Sequence, residues 1–460
     1  MLVITLVMAL LMASTTERPL SDPDIYLHLA AGRWIVAQGE IPLADVFSHS
    51  LAGSAWVPHQ WLSQVILYAW QNAFGWSGLM FLGALMFGIT LAWLWIFLRD
   101  RMPWIYALAL LALTFFCMVT HFQVRPHILA WPLLACWTSH IMDRSESGRT
   151  PDYALLLVMV LWVNVHGSFM LGLVILAFIA VESVLRHPAT WKAWLGFVIA
   201  TLLACLLNPV GWKLLVFTIK MPLLTTLTYL TEWSPPRFTG LNPLALSVVF
   251  LVSLGLMGRL RISPIRLALL LLLLFQAVHH ARYVSLFGLL APFLVARGIR
   301  PSRPTATQDV HSNAALSWTM GVAVFFTCAM LCWQLQNRPY QPGSRITPSR
   351  AVDRMMSQSV MGKGLNFFNY GAYLIYRGVP VFIDGRLDVY GDAHMQNYLA
   401  IVDTKEPVDL QTKLDELGIS WTLFPRDDSI NALLLHHPAW KLIHEDEQSM
   451  LFVRRGLRLF

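Results

Sequence analysis

Charged residues are scarce in this chain, because Asp, Glu, Lys and Arg together make up 13% of its 460 residues. A soluble globular protein has about 25% charged residues. This shortage, together with 56% hydrophobic residues and 19 Trp, excludes an ordinary soluble domain and predicts an α-helical polytopic membrane protein. The net charge of +7 does not indicate nucleic-acid binding, because the basic residues lie in short clusters between apolar runs.

Cysteine motifs and acidic residues within the apolar runs are also lacking. The five cysteines lie inside apolar segments without CxxC spacing, which excludes a zinc or redox site of that kind. We interpret them as packed apolar residues. Few acids lie in the middle of the apolar runs and no inverted repeat is visible, which argues against a coupled transporter.

Long apolar runs dominate the first three quarters of the chain and predict about eleven transmembrane helices. They fall at 1–15, 76–98, 104–121, 126–142, 153–165, 168–186, 192–207, 241–257, 264–279, 282–299 and 314–335. If the N-terminus is cytoplasmic, every cytoplasmic loop carries Arg or Lys, as the positive-inside rule requires. These cations are Arg99, Arg101, Arg144, Arg149, Arg186, Lys192, Arg259, Arg261, Arg266, Arg297, Arg300 and Arg303.

Two large segments are then placed on the outer side. In the first, 16–75, DIYLHLAAGRWIVAQG has helical apolar spacing and predicts an amphipathic surface helix. IPLADVFSHS predicts a turn, and WVPHQWLSQVILYAW a second helix that returns to the bilayer. In the second, 208–240, we expect an interfacial helix near 212–230. Residues 1–335 thus form the predicted transmembrane domain, which includes both outer loops.

Residues 336–460 predict a small extracytoplasmic α/β domain, because charged residues and turn signals rise there. The runs GAYLIYRG, VPVFIDGR and SWTLFP predict strands. AHMQNYLAIVD and PVDLQTKLDELG predict helices, and WKLIHEDEQSMLFVRR predicts a terminal hairpin.

The stretch SDPDIYLHL holds the first candidate catalytic group: Asp22, Asp24 and His28. Asp24 and His28 are four residues apart and share a helix face. Two carboxylates beside an imidazole can bind a divalent cation or supply a general base. As alternatives, Asp22 before Pro23 caps the helix, and Asp24 is a solvated interfacial carboxylate.

Further polar residues gather on the predicted outer side, where ionisable groups at membrane depth indicate a site. The candidate substrate-binding residues are His59, Arg125, His166, Lys213, Glu232, Arg282, Asp384 and Arg386. The cations suit an anionic lipid headgroup or a pyrophosphate. Scattered interfacial anchors are the alternative, for His59 in particular. Glu232 either joins Asp24 around a metal or pairs with Arg237, and we favour the ion pair.

Two features of the predicted outer side have structural alternatives. In FIDGRLDVYG, in the C-terminal domain, Asp384, Arg386 and Asp388 alternate and share one face if the strand continues, where they could bind a ligand. The alternative is a turn at DGR in which Asp384 bonds backbone amides. We favour the turn. Asp45, in ADVFSHS, is interpreted as a turn or cap residue.

The runs DPDIYLHLAAGRWI, GEIPLADVFSHS, WVPHQWLSQ, NVHGSF, LNPVGW, TEWSPP and NYGAYLIYRGVPVFIDGRLDVYG resemble a family of bacterial polytopic membrane proteins that has no assigned activity. Through its architecture that family is similar to the GT-C glycosyltransferases, which are polyprenyl-phosphate-sugar enzymes related to protein mannosyltransferases. The resemblance implies a multi-pass protein of the bacterial inner (plasma) membrane, with its N-terminus cytoplasmic and its C-terminal domain periplasmic or extracellular.

The resemblance to GT-C enzymes also implies a reaction: transfer of a sugar from a polyprenyl-phosphate donor to an extracytoplasmic acceptor. An acid of the first outer loop acts as base or helps to hold a divalent cation such as Mg²⁺ or Mn²⁺, and Asp24 matches that position best. Relatives often have Glu where this chain has Gln60, which weakens a metal role there. The alternative is a non-catalytic envelope protein that binds lipid-linked glycan or protein partners through 336–460.

Overall fold

The structure, a computed structural model, describes residues 18–299 and 340–456. Its contacts divide the chain into two units. The helical unit comprises residues 77–218 and 228–299, and the mixed unit comprises 18–76, 219–227 and 340–456. The contacts thus group the first outer segment with the C-terminal residues, whereas the sequence analysis kept 16–75 with the apolar helices.

Helices form at each of the nine predicted apolar segments that lie within the described residues. They are part of α2 (Trp61–Arg99), then α3 (Trp104–Val119), α4 (Pro126–Glu146), α5 (Leu156–Val165), α6 (Phe169–Arg186), α7 (Trp191–Ala204), α9 (Pro243–Leu256), α10 (Pro264–His279) and α11 (Tyr283–Val295). The predicted helices at 1–15 and 314–335 lie outside the described residues. Within those residues, α2 and α6 are long and apolar enough to cross a membrane by length and composition.

Small residues let helices of the helical unit approach closely, as is common where apolar helices pack together. A Cβ added to Gly288 on α11 would lie 2.3 Å from Cys117 Cβ on α3. The Thr114 hydroxyl also donates to the Gly288 carbonyl at 2.8 Å. A Cβ at Gly172 on α6 would lie 2.7 Å from the Trp162 ring on α5. These glycines therefore set the helix spacing.

The mixed unit is built on a four-stranded sheet with strand order β1-β2-β4-β3. The strands are β1 (Lys363–Asn366), β2 (Ile419–Pro425), β3 (Trp440–Glu445) and β4 (Ser449–Arg454). β1 pairs parallel with β2, and β4 pairs antiparallel with both β2 and β3. The helices are α1 (Asp24–Gln38), the start of α2, the end of α8 (Trp212–Lys220), α12 (Ser349–Ser357), α13 (Gly371–Tyr376), α14 (Leu387–Val402), α15 (Pro407–Glu416) and α16 (Ser429–Leu435).

Most local predictions for the C-terminal residues are confirmed. SWTLFP lies in β2, the terminal hairpin is β3–β4, and the two predicted helices are α14 and α15. The strand prediction for GAYLIYRG is wrong, because this run contains α13, in which Gly371 to Ile375 are all buried. A half-buried strand alternates buried and exposed side chains, and five consecutive buried residues do not show this alternation. Packing in the folded protein here overrides the β propensity of the aromatic and branched residues.

The run VPVFIDGR is not a named strand either, although Val381 forms a parallel bridge with Ser48. The buried side chain of Asn366 replaces a strand partner here. Its Oδ1 accepts the Phe382 N–H at 2.9 Å, and its Nδ2 donates to the Ile383 carbonyl at 2.9 Å. One amide side chain thus satisfies backbone groups that a ladder would otherwise pair.

Helix α1 confirms the predicted helix but not its amphipathic surface character. Residues 25–32 are buried without interruption, so the first half of the helix is enclosed by the mixed unit, while residues 36–38 at its end are exposed. Close packing explains this, since a Cβ on Gly32 would lie 2.1 Å from the Gln64 carbonyl oxygen on α2. The interfacial helix expected at 212–230 is α8, followed by 3-10 turns at Met221–Leu223 and Thr225–Tyr229.

Candidate functional site

In the helical unit, Glu232 lies between two arginines, and these three residues are here called the arginine–glutamate cluster. Arg125 Nη1 is 3.2 Å from Glu232 Oε2, and Arg282 Nη1 is 3.4 Å from Glu232 Oε1. The three side chains are between 20% and 26% exposed. One carboxylate faces two guanidinium groups, so the cluster keeps one excess positive charge that remains accessible to an anion.

Backbone hydrogen bonds position this cluster. Glu232 lies in a 3-10 turn, Thr231–Trp233. Its carbonyl accepts the Arg282 N–H at 3.1 Å, and the Ser234 carbonyl accepts the Ala281 N–H at 2.9 Å. The Arg282 guanidinium also lies 4.6 Å from the centre of the Trp233 ring, a cation–π distance. The loop is therefore attached to the residues between α10 and α11.

The two arginines keep Glu232 ionised. Burial alone would raise the pKa of Glu232, but the charges of Arg125 and Arg282 outweigh burial and lower the pKa to about 2. The ion pair predicted for Glu232 is present, but its partners are Arg125 and Arg282 rather than Arg237. The reason is that the backbone bonds at 281 and 282 bring a distant arginine to the loop.

Three histidines lie around the same region of the helical unit. The ring centres of His121 and His127 are 4.9 Å apart, and those of His127 and His166 are 6.4 Å apart. His127 Nε2 is 3.2 Å from the His121 carbonyl oxygen, so it donates there. His166 Nδ1 accepts the Ser168 N–H at 3.1 Å. The histidines of the α3–α4 and α5–α6 junctions therefore do come together. Lys213, on α8, is exposed.

In the mixed unit, Asp24 begins α1 and is partly exposed, while His28, one turn later, is buried at 5% exposure. Asp22 Oδ1 accepts the Asp24 N–H at 2.9 Å, which is the capping contact expected of a carboxylate before a helix. Asp22 is thus engaged at the helix start. Asp24 projects from the first turn, where the helix dipole favours a negative charge.

The Asp24 carboxylate lies directly over the FIDGRLD turn. A Cβ added to Gly385 would be 2.1 Å from Asp24 Oδ1 and 3.4 Å from Oδ2. Only glycine fits under the carboxylate at this position. The two sequence motifs that were singled out separately, DPD and DGR, are therefore adjacent in the mixed unit.

Behind this turn is a buried ionic group, here called the Arg386 cluster: Asp45, Asp384, Arg386 and Tyr390. Arg386 Nε and Nη2 donate to the two Asp384 oxygens at 2.9 and 2.7 Å, and Nη1 donates to Asp45 Oδ1 at 2.6 Å. The Tyr390 hydroxyl donates to Asp384 Oδ2 at 2.6 Å. Asp384 also accepts the Arg386 N–H at 2.9 Å, so the predicted turn is confirmed.

The Arg386 cluster is structural in its geometry. Asp384 is 0% exposed and Arg386 4% exposed, and the donors of the guanidinium are directed to carboxylates within the cluster. Burial would lower the pKa of Arg386, but Asp384 outweighs it and raises that pKa. These contacts favour the structural alternative for Asp384 and Arg386 and explain the role of Asp45, which also bonds the Phe47 N–H at 3.0 Å.

Asp388 is a further, partly buried acid of this region. Burial raises the pKa of Asp388, while His59 and Arg386 act in the opposite direction. His59 itself is partly exposed, and its Nδ1 is 3.2 Å from the Val57 carbonyl oxygen. The sequence analysis named His59 but not Asp388 as a site residue, since alternation along a presumed strand was the only signal for Asp388.

A divalent cation finds no ready set of ligands. Among residues 18–299 and 340–456, no group of three or more His, Cys, Asp or Glu side chains is arranged to hold a metal ion.

Comparisons with known proteins give fold-level matches only. No protein-family model matches the chain, and no curated protein matches it. Among solved structures, ArnT from Cupriavidus metallidurans bound to undecaprenyl phosphate matches with a TM-score of 0.53 at 14% identity, over 99% of this chain and 98% of ArnT. The Archaeoglobus fulgidus oligosaccharyltransferase in its apo form matches with a TM-score of 0.52 at 10% identity, over 92% of this chain and 69% of that one.

A second structure of the archaeal enzyme, called AglB and solved with an inhibitory peptide and a dolichol-phosphate, matches with a TM-score of 0.52 at 11% identity, over 92% of this chain and 69% of that one. ArnT and AglB are GT-C glycosyltransferases. Both are polytopic membrane proteins, and this chain is mostly helical with a small mixed sheet. The chain therefore has the fold of the GT-C glycosyltransferases, which the architecture predicted from its sequence resembles.

Proposed function

We propose that this protein is an integral-membrane glycosyltransferase, which moves a sugar from a polyprenyl-phosphate donor to an acceptor outside the cytoplasm. The observation that carries the proposal is the arginine–glutamate cluster within a GT-C fold. It offers two guanidinium groups, held by one carboxylate, to an anionic ligand. The ArnT structure contains undecaprenyl phosphate and the AglB structure contains a dolichol-phosphate, which supports a ligand of this chemistry.

In the proposed reaction, Asp24 acts as general base. Its carboxylate takes the proton from an acceptor hydroxyl, and the hydroxyl oxygen forms a bond to the anomeric carbon of the donor sugar. The bond between that carbon and the phosphate oxygen breaks, and polyprenyl phosphate leaves with the electron pair. A partly exposed carboxylate at a helix start is accessible to a substrate, as a general base must be.

Arg125 and Arg282 are proposed to bind the donor phosphate and to stabilise the charge that develops on it as the bond breaks. Glu232 positions both arginines. His28, buried one turn from Asp24, is proposed to hold the start of α1 in place. His59, His166 and Lys213 remain proposed substrate contacts. For Asp22, Asp384 and Arg386 we propose positioning roles, which their hydrogen bonds support.

Mass spectrometry of lipid-linked and surface glycans tests this proposal. Cells carry the wild-type gene, a deletion, Asp24→Asn or the control Glu40→Gln, which neutralises an exposed acid two residues beyond α1. We expect the same donor lipid to accumulate in the deletion and in Asp24→Asn, while Glu40→Gln resembles the wild type. Immunoblots confirm equal amounts of each variant in the membrane.

The opposite result supports the alternative function. If the deletion changes the glycans and Asp24→Asn restores them fully, Asp24 has no catalytic role. The protein then acts as a non-catalytic envelope component that binds lipid-linked glycan or protein partners. An Arg282→Gln variant separates the two functions further. If the protein is a transferase, this variant should need a higher donor concentration for transfer, because donor binding is weakened while Asp24 is unchanged.

A further inference from the structure

A second charged site lies in the helical unit, at the other end of α4 from Arg125. It is a cavity of about 230 Å³, here called the basic cavity. Its polar lining consists of Glu146, Arg186, Arg261, Ser263, Arg266 and Arg297. Arg125 precedes α4 and Glu146 ends it, and a 21-residue helix is about 30 Å long. The basic cavity is therefore separate from the arginine–glutamate cluster.

Arg266 is the buried centre of this site. Its side chain is 5% exposed and lies between two carboxylates that are 4% and 2% exposed. Arg266 Nη1 donates to Glu146 Oε1 at 2.9 Å, and Nε donates to Glu182 Oε2 at 2.8 Å. Removing these charges from water costs free energy, which the pairing of the arginine with the two carboxylates offsets.

Both carboxylates are engaged by further partners, so they present little free negative charge to the cavity. Glu182 Oε1 accepts from Arg186 Nη2 at 2.6 Å and also from the Ser263 hydroxyl. Glu146 Oε2 forms an ion pair with Arg297, whose Nε is 2.6 Å away, but it accepts no hydrogen bond from residues 18–299 and 340–456. Each acid thus has two arginines as ion-pair partners.

The cavity has more cations than these acids neutralise. Arg186 and Arg297 are 43% and 54% exposed, and Arg261 is exposed as well. With Arg266, four guanidinium groups face two carboxylates, which leaves an excess of two positive charges. Guanidinium groups bind phosphate oxygens through paired hydrogen bonds.

One donor of the buried arginine is unused. Arg266 Nη2 is buried and has no hydrogen-bond partner within the described part of the chain, 18–299 and 340–456. A buried charged donor without an acceptor is costly. Arg266 lines the cavity, so this unpaired donor adds positive charge beside the space that an anion would occupy.

Tight backbone packing shapes the rim of the cavity. The Arg261 N–H donates to the Gly298 carbonyl at 3.0 Å. A Cβ at Gly298 would lie 2.4 Å from the Arg261 carbonyl oxygen. Glycine at 298 therefore allows the segments that carry Arg261 and Arg297 to lie side by side.

We propose that the basic cavity binds the phosphate group of a ligand, either the headgroup of an anionic lipid or a soluble phosphate. The volume supports this size of ligand. One water molecule takes about 30 Å³ of liquid, and small-molecule sites have about 300–1,000 Å³, so the cavity suits a phosphate group better than a whole cofactor. Basic pockets between membrane helices bind phospholipid headgroups in this way.

Binding to the purified full-length protein in detergent tests the proposal. The probes are inorganic phosphate, dioctanoyl-phosphatidylglycerol and dioctanoylglycerol, which has the same tails without phosphate. Native mass spectrometry measures lipid binding, and thermal-shift titration measures binding of inorganic phosphate. The double variant Arg186→Gln/Arg261→Gln removes two exposed rim charges and keeps most of each side chain. The control Arg99→Gln/Arg149→Gln removes two exposed charges that do not line the cavity.

We expect the rim variant to bind at least one phosphate-containing probe about ten-fold more weakly, as loss of charge-assisted hydrogen bonds predicts, while the control binds as the wild type does. Binding of inorganic phosphate itself identifies a site for soluble phosphate. Binding of phosphatidylglycerol alone, without dioctanoylglycerol or phosphate, identifies a lipid headgroup site. Equal affinities in all three proteins, equal weakening in both double variants, or no binding of either phosphate probe would overturn the proposal.

Discussion

Removal of the Arg386 side chain should destabilise the mixed unit strongly. Arg386 is the cation that faces both Asp45 and Asp384 in the Arg386 cluster, and both carboxylates are 0% exposed. In Arg386→Met, the two buried negative charges lose the guanidinium that compensates them. Breaking a buried ion pair in this way costs about 3–5 kcal/mol. The side chain of Met retains much of the arginine volume, so lost packing contributes less.

The loss can be measured as a shift of the unfolding midpoint. A unit of this size loses about 2–4 °C for each kcal/mol, so Arg386→Met should melt about 6–20 °C below the wild type in detergent. The matched control is Arg377→Met, which breaks the exposed Arg377–Asp353 pair and should cost at most about 1 kcal/mol.

A third protein tests the cause of the loss. Adding Asp45→Asn and Asp384→Asn to Arg386→Met removes the uncompensated charges and should restore much of the stability, because buried neutral groups cost less than buried charges. The reasoning is refuted if Arg386→Met shifts the midpoint no more than Arg377→Met does, or if the triple variant is no more stable than the single one.

Three further predictions concern other contacts. Gly385→Ala should displace the Asp24 carboxylate, because Asp24 Oδ1 would lie 2.1 Å from the added Cβ. This variant should therefore reduce glycan transfer as Asp24→Asn does, whereas the control Gly255→Ala, which adds a Cβ in open space, should have no effect. Normal transfer by Gly385→Ala would contradict a role for Asp24. The pKa of Glu232 is lowered to about 2, so the ion pairs of Glu232 stabilise the folded protein fully above the unfolded pKa near 4.5, and this stabilisation is lost as the pH falls towards 2. The melting temperature should therefore fall more steeply over this pH range for the wild type than for Glu232→Gln. Parallel curves of melting temperature against pH would contradict the ion pairs. Asp392 accepts hydrogen bonds from the Thr225 N–H, the Thr226 N–H and the Thr226 hydroxyl at 3.1, 2.9 and 2.7 Å, and thereby attaches the segment that follows α8 to α14. Asp392→Asn should weaken these bonds and speed tryptic cleavage after the exposed Lys220, relative to the control Asp427→Asn, which changes another exposed acid. Equal cleavage rates in the two variants would argue that Asp392 does not hold this segment.

The sequence predicts the helices of this protein well because apolar composition determines them. Runs such as 264–279 are confirmed at both ends as α10, since Ser263 caps the first turn and His280 leaves the helical conformation. Strands are predicted less well. The run at 371–376 has the aromatic and branched residues of a strand, yet it is a helix buried on all sides, and local periodicity carries no information about burial by distant residues.

The candidate site shows the same limit. Sequence distance favours Arg237 as the partner of Glu232, but backbone pairing with residues 281 and 282 selects Arg282 instead. The DPD and DGR motifs are both visible in the sequence, while their proximity at Gly385 is not. Residue type predicts which groups can act chemically, and only the long-range packing of the mixed unit determines which of them meet.

The mixed unit combines segments from both ends of the chain, and this affects the order in which its contacts can form during synthesis. Asp45 and Arg386 are 341 positions apart, and ribosomes add about 5–20 residues per second, so roughly 15–70 s separate the two residues. During that interval Asp45 has no guanidinium partner from Arg386, and Trp56 lacks the Arg386 guanidinium that later lies 5.0 Å from the centre of its ring. A nascent chain that stops before Arg386 therefore lacks the cation that neutralises Asp45 and stacks on Trp56 in the finished protein.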